Sequence, residues 1–385
     1  MMYARDISKN FIAALEKYPV VVLMGPRQSG KTTLSRALFP EFNYVSLEQP
    51  DIRKIALEDP LAFFKNHHGN LIIDEVQRVP ELLSYIQGII DEPNCTQKFI
   101  LTGSQQFLLM EKVAQTLAGR TRILKLLPLS WSEYAHDAEL EEVIVQGGYP
   151  RIHDKNLNPG EWHSQYFQTY VERDVREVLQ IGDLVAFERF IRLCAGRVGQ
   201  LINYESLGND AGVTQPTAKS WLSTLNVSFI TTFLPPHFKN FSKRIIKTPK
   251  LYFYDTGLLC WLLNIKNAND LKSHPLRGPI FENWVVSEYL KHYYNRGDKP
   301  SLYFWRSQKG KEVDLIIDRG SKLFPIEIKS GVTFQSEWIK AIDYFNDLQS
   351  AENLPSACVY GGNKNQIFKN TQVLSWKQPI ADLPE

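Results

Sequence analysis

Apolar and polar positions along the chain change period several times, and each change marks an element. Ile7, Phe11, Ile12 and Leu15 recur at helical spacing, which predicts a helix within residues 1–18. Val20 to Met24 is an unbroken apolar run of five, the pattern of a parallel strand covered on both faces. From Lys31 through Leu34 and Leu38 the spacing is helical again and stops at Pro40. Phe42–Leu47, Lys98–Ser104 and Arg122–Leu127 read as further strands, and Leu71-Ile-Ile ends in two acids, Asp74 and Glu75. Short helices are expected near Asp51–Leu57 and Pro60–His67, the second opening on proline, which suits a first helical turn.

Between the Val20–Met24 strand and the Lys31 helix, Gly25-Pro-Arg-Gln-Ser-Gly-Lys-Thr32 fits the phosphate-loop spacing G-x-x-x-x-G-K-[ST]. Gly25 and Gly30 allow the backbone to turn its N–H groups inward, and the next helix adds its positive end. Pro26, Arg27, Gln28, Ser29 and Thr33 complete the expected cradle. Lys31 is expected on the β- and γ-phosphates and the Thr32 hydroxyl on a magnesium ion, so the cofactors are ATP and Mg2+. Asp74 would then position the metal, and Glu75 would deprotonate the attacking water. Thr102 or Ser104, at the end of the next strand, is placed to sense the γ-phosphate; alternatively Ser104 caps a helix holding Phe107, Leu108 and Met110. Arg120 is a candidate for stabilising phosphate charge, in cis or from a neighbouring subunit, with Arg122 and Arg151 as competitors.

Further along, Tyr204–Leu225 has a helix-turn-helix pattern: Leu207 and Ala211, a turn at Gly212-Val213, a Thr214 cap, then Ala218, Trp221, Leu222 and Leu225. Two strands, Ser228–Pro235 and Lys250–Tyr254, would make it a winged helix. Lys239, Lys243, Arg244, Lys247 and Lys250 give the wing a basic edge suited to DNA phosphates. The second helix has one charged residue, Lys219, and no arginine to read guanine, which leaves a packing or regulatory role open.

The chain has 385 residues, 43% hydrophobic and 22% charged, with room for two or three cores and a net charge of +2 that confines any nucleic-acid affinity to a patch. Cys95, Cys194, Cys260 and Cys358 have no metal spacing and suit a reducing compartment. No leader or membrane pattern is evident, so the expected location is the cytoplasm and no membrane partner is expected.

Gly25–Thr32, Leu71–Glu75, Leu101–Gln105, Leu117–Arg122, Gly147–Arg151 and Tyr170–Asp174 together resemble a widespread prokaryotic family of AAA+-type ATPases, which joins an ATPase module to a C-terminal domain of unknown function. In the last third, the Phe281–Leu290 helix and three strands, Leu302–Arg306, Glu312–Ile317 and Leu323–Lys329, resemble the restriction-endonuclease-like core with its PD-(D/E)xK constellation. That resemblance implies Asp314 and Glu327 as metal ligands, Lys329 beside them and Glu282 from the helix; Val313 stands where many active members have proline. The expected architecture is an α/β P-loop domain of the AAA+/ASCE type (1–155), a helical linker and winged helix (156–265) and a nuclease-like α/β domain (266–385). The expected function is ATP hydrolysis that controls a nucleic-acid-directed module. The alternative is a nucleotide switch that binds protein partners, or copies of itself, without cleavage.

Overall fold

Val20, Val22 and Met24 face one hydrophobic core, while Val21 and Leu23 face another that includes Phe11, Leu15 and Leu34. The strand β1 (Val20–Met24) is therefore sandwiched, as its unbroken apolar run requires. The computed structural model describes residues 3–104, 113, 115–134, 137–170, 183–237, 248–307, 309–320, 322–348 and 355–380. Its first sheet contains β1, β2 (Asn43–Ser46), β3 (Leu71–Asp74), β4 (Phe99–Gly103) and β5 (Thr121–Lys125), in the order β2-β3-β4-β1-β5. Every pairing is parallel. All five C-terminal strand ends therefore lie on one edge, the edge where open α/β sheets bind ligands. β4 is inserted between β1 and β3, so Thr102 stands between the phosphate loop and Asp74.

The middle of the chain is helical. The helix Tyr204–Ala211 is capped by Asn203 and stopped by Gly212 in the left-handed region, at φ 78°. Thr214 then caps Gln215–Val227 by accepting from the Thr217 N–H at 3.3 Å. β6 (Thr231–Leu234) and β7 (Lys250–Phe253) follow as an antiparallel hairpin. Of the five basic residues expected on a DNA-facing wing, Lys239, Lys243, Arg244 and Lys247 lie outside the described residues. Lys250 does not face solvent at all: it is 3% exposed and points into the next domain. That part of the wing expectation is corrected. The strand that carries Lys250 is covered on both sides, and its ammonium is taken up by carboxylates.

The third unit is a six-stranded mixed sheet in the order β12-β13-β11-β10-β9-β8. β8 (Leu302–Arg306), β9 (Glu312–Asp318) and β10 (Leu323–Lys329) are antiparallel neighbours. β11 (Ser356–Tyr360) runs parallel to β10 and to β13 (Thr371–Ser375), and β12 (Gln366–Phe368) closes the edge. The helices Arg277–Asn295 and Lys340–Leu348 pack against this sheet. Strict alternation along β9 fails. A register shift opposite Tyr303/Trp305 puts Val313 and Ile316 in one core and Leu315 and Ile317 in the other.

Two clamps join the units. Asn283, fully buried on the Arg277–Asn295 helix, accepts from Phe253 N–H at 2.6 Å and donates to Phe253 C=O at 3.0 Å. Further along the same helix, Glu288 accepts from the Trp131 N–H at 2.9 Å, and Lys291 Nζ donates to Leu129 C=O at 3.0 Å. No helix among the described residues is long and apolar enough to cross a membrane.

Candidate functional site: a nucleotide cavity and a carboxylate cluster

The turn from β1 into the Lys31–Leu38 helix needs its glycines for two different reasons. A Cβ on Gly25 would lie 2.0 Å from the Leu126 carbonyl oxygen, so only glycine lets the loop pass β5. Gly30 has φ 95°, in the left-handed region where a side chain is strained. Lys31 Nζ is buried and donates to the carbonyls of Gly25 and Pro26 at 3.0 and 2.8 Å. Burial lowers its pKa from the ordinary lysine value, and Glu75 and Asp74 pull it back up.

Asp74 is the hub of the hydrogen bonds beside Lys31. Its carboxylate accepts from Thr32 Oγ1 at 3.0 Å, from Tyr44 OH at 3.0 Å, and from Thr102 Oγ1. Burial and the Asp74 charge push the Tyr44 phenol up to about 12, so it stays a donor. Glu75 takes the left-handed conformation at φ 57°, uncommon for a residue with a side chain and typical of functional turns. Its carboxylate accepts from Ser104 Oγ at 3.1 Å and from the Gln77 amide.

These walls enclose a cavity of about 620 Å³, within the usual size for a ligand pocket. Arg27, Lys31, Thr32 and Asp74 line one part; Tyr3, Leu129 and Pro150 add apolar surface, and Arg151 and Lys155 add charge. Gly148 makes this wall possible. Its carbonyl accepts from Leu129 N–H at 2.7 Å, and a Cβ there would meet the Leu129 carbonyl oxygen at 2.5 Å.

Several expected residues are placed differently. Thr102 and Ser104 are buried behind the acids, and their hydroxyls donate to Asp74 and Glu75. Arg120 precedes β5, and β5 pairs in parallel with Val20 opposite Thr121. This puts Arg120 at the edge of the sheet away from the phosphate loop, where it grips Asp91 through Nε at 2.6 Å and Nη2 at 2.9 Å. A cis role on phosphate is corrected accordingly. Arg122 Nη2 bonds the Gly297 carbonyl, and of the three arginines Arg151 lines the cavity.

Sequence reasoning missed Tyr44, Gln77 and Arg5. Arg5 is 8% exposed, donates to the Ser29 and Leu127 carbonyls at 2.9 and 2.7 Å, and pairs with Glu133 at 3.1 Å. It ties the phosphate loop to the segment after β5. Gln77, two residues past Glu75, was the findable one. The other two are distant in sequence, and only the parallel sheet brings them in.

A second group of charges gathers where the hairpin meets the C-terminal sheet. Asp314 accepts from the Ile328 N–H at 2.9 Å and from Lys329 Nζ at 3.2 Å; Lys329 also binds Glu327. Lys250 Nζ reaches Glu282 Oε1 at 2.9 Å and Glu312 Oε1 at 2.5 Å, and Tyr252 OH donates to the same Glu282 oxygen at 2.5 Å. Burial, and next the Asp314 charge, raise the pKa of both Glu282 and Glu327. Burial works against the charge of Lys250, but Glu282, Asp314 and Glu312 outweigh it and hold the ammonium above its ordinary range. Among the described residues no three His, Cys, Asp or Glu side chains are arranged to hold a metal as they stand. The lysines sit between the carboxylates.

The phosphate loop, the acidic strand end and the parallel sheet define an ATP-binding P-loop ATPase domain of the AAA type, and residues 17–135 match the AAA domain family. Residues 137–269 and 277–378 match two families described as domains of unknown function, DUF8612 and DUF4143. The chain belongs to the same family as an uncharacterized protein of Mycobacterium tuberculosis, 31% identical over 330 residues that span 84% of this chain and 73% of that one. An uncharacterized protein of Methanocaldococcus jannaschii is 22% identical over 377 residues, 88% of this chain and 81% of its own. Among solved structures, the Walker-type ATPase paby2304 of Pyrococcus abyssi has 14% identity and a TM-score of 0.45, covering 67% of this chain and 95% of that one.

Proposed function

We propose that this protein hydrolyses ATP with Mg2+ in the cavity below the phosphate loop and uses the nucleotide state to control its C-terminal module. The observation that carries the reading is the Thr32–Asp74 contact beside buried Lys31: a hydroxyl, a carboxylate and an ammonium on one cavity wall. Hard oxygen donors of this kind suit magnesium, and Thr32 and Asp74 are the residues that would hold it. The ion supplies charge neutralisation at the phosphates when bound. Lys31 turns from the loop carbonyls to the β- and γ-phosphates. Arg151 and Lys155 supply further positive charge, while Tyr3, Leu129 and Pro150 offer the base an apolar surface. Glu75, oriented by Ser104 and Gln77, takes a proton from the attacking water.

The C-terminal unit is read as nuclease-like and directed at nucleic acid, with Asp314, Glu327, Lys329 and Glu282 as its centre. The order helix, three antiparallel strands, helix, parallel strand supports this. A second reading, a nucleotide switch that engages protein partners without cleavage, is favoured by the buried, ion-paired Lys250, which is unavailable to DNA phosphates.

Glu75→Gln keeps the shape and removes the base, so hydrolysis should fall by about 10²–10⁴-fold with nucleotide binding retained. Lys31→Ala should lose binding. A Glu75→Gln protein that hydrolyses ATP at the parent rate overturns the assignment. Stimulation of hydrolysis by DNA that fades with salt separates the two readings of the C-terminal half.

A further inference from the structure

The carboxylate cluster is composite: three of its acids come from the C-terminal sheet, one from the Arg277–Asn295 helix, and its most buried cation from the middle hairpin. Glu282, Glu312, Asp314 and Glu327 face the ammonium groups of Lys250 and Lys329 and, 3.7 Å from Glu312, the Arg306 guanidinium, which makes four carboxyl groups and three cations. A carboxylate left over in a buried site is costly unless a cation or a proton balances it. Glu327 is 5% exposed, and its Oε2 atom has no hydrogen-bond partner among the described residues. It is a buried acceptor without a donor, next to Asp314.

We propose that this cluster is a divalent-cation site of the magnesium or manganese class, occupied by the tethered ammonium of Lys250 until the hairpin withdraws. The proposal rests on the reading of these acids as a metal centre and adds what controls entry. Lys250 Nζ takes one oxygen of Glu282 and one of Glu312, so metal and ammonium compete for the same carboxylates. The Lys250 side chain is 3% exposed, so its ammonium leaves the cluster only when the strand that carries it moves. The hairpin is seated on β8 by His237 N–H to Phe304 C=O at 2.7 Å, Phe304 N–H to Pro235 C=O at 3.0 Å, and His237 Nε2 near Asp318 at 3.2 Å. These contacts and the Asn283 clamp set the resistance to withdrawal. Because coupling is reciprocal, metal entry loosens the hairpin by the same factor that the seated hairpin weakens the metal.

The test uses full-length protein stripped with EDTA, without nucleotide, titrated with Mn2+ by calorimetry and by electron paramagnetic resonance of free Mn2+. Lys250→Met alone takes the nearer of two cations from Glu312, leaving Arg306 at 3.7 Å, and can fail to fold, so the working variant is K250M/E312Q, which keeps Glu282, Asp314 and Glu327. This double variant should bind one Mn2+ about 10- to 100-fold more tightly than the parent. Its melting temperature should rise with Mn2+ where the parent's does not, and adding D314N should abolish both effects. If the parent binds as tightly as the double variant and D314N abolishes it, the gate is overturned and the metal centre stands. If the double variant is folded by circular dichroism and shows no Asp314-dependent Mn2+ binding, the metal centre itself is overturned.

Discussion

Asn283→Ala should loosen the join between the hairpin and the C-terminal unit by a predictable amount. The Asn283 side chain is fully buried and satisfies two groups at once, the N–H and the C=O of Phe253 on the outer edge of β7. Truncation leaves both without a partner in a site closed to water. An orphaned buried group costs about 1–3 kcal/mol, so the pair costs about 2–6 kcal/mol. Set against the ~5–15 kcal/mol that holds a typical domain folded, this is a large fraction. Urea unfolding followed by tryptophan fluorescence reads it out. With a denaturant slope of about 2 kcal/mol per molar, the transition of the C-terminal unit should move down by about 1–3 M. Asn283→Asp keeps an acceptor for the Phe253 N–H but sets a carboxylate oxygen against the Phe253 carbonyl, so it should lose at least as much. A shift below about 0.3 M for Asn283→Ala would mean that water or a rearranged strand satisfies Phe253, and the clamp reasoning would fail.

Arg5→Met removes the partner of buried Glu133 and two carbonyl contacts, so it should destabilise the ATPase domain by about 3–5 kcal/mol and weaken nucleotide affinity, measured by denaturation and by fluorescent-nucleotide titration. Gln77→Ala releases one of the two donors on the Glu75 carboxylate, and kcat should fall about tenfold with KM little changed; a rise in kcat would show that Gln77 restrains Glu75 rather than aims it. Arg120→Ala should leave hydrolysis within about twofold of the parent because its guanidinium is spent on Asp91, whereas Arg151→Ala should slow it by at least about tenfold; the reverse order would relocate the phosphate-facing arginine.

What could be read from the chain divides by the range of the interaction. The phosphate loop, the Asp74-Glu75 strand end, the Thr214 cap and the three strands before Lys329 are local patterns, and each element lies within a few residues of where its spacing put it. A cis role for Arg120 needs the strand direction to be judged, while a role from a neighbouring subunit does not. A residue just before a parallel strand lies at the edge opposite the ligand, so the direction of β5 decides where Arg120 falls. Thr102 and Ser104 were rightly placed at strand ends, but a hydroxyl there has a nearer partner in a carboxylate than in a phosphate. Lys250 looked like the edge of a basic wing because its companions in sequence are basic. Its actual surroundings are acids 32 and 62 residues further on, which periodicity cannot report. The register shift in β9 was likewise invisible, since it depends on how Tyr303 and Trp305 sit on the neighbouring strand.

The Arg277–Asn295 helix has 19 residues and is therefore about 28 Å long. Near its start it carries Glu282 and Asn283, and nearer its end Glu288 and Lys291 hold the backbone of Trp131 and Leu129, the latter a wall of the nucleotide cavity. A hydrogen-bonded helix is hard to stretch or compress along its axis, so the two ends cannot settle independently. A ligand that shifts Leu129 must either break the Lys291 contact or carry Glu282 with it. The seating of the hairpin and one wall of the nucleotide cavity thus rest on the same stiff element, and any coupling between them is reciprocal.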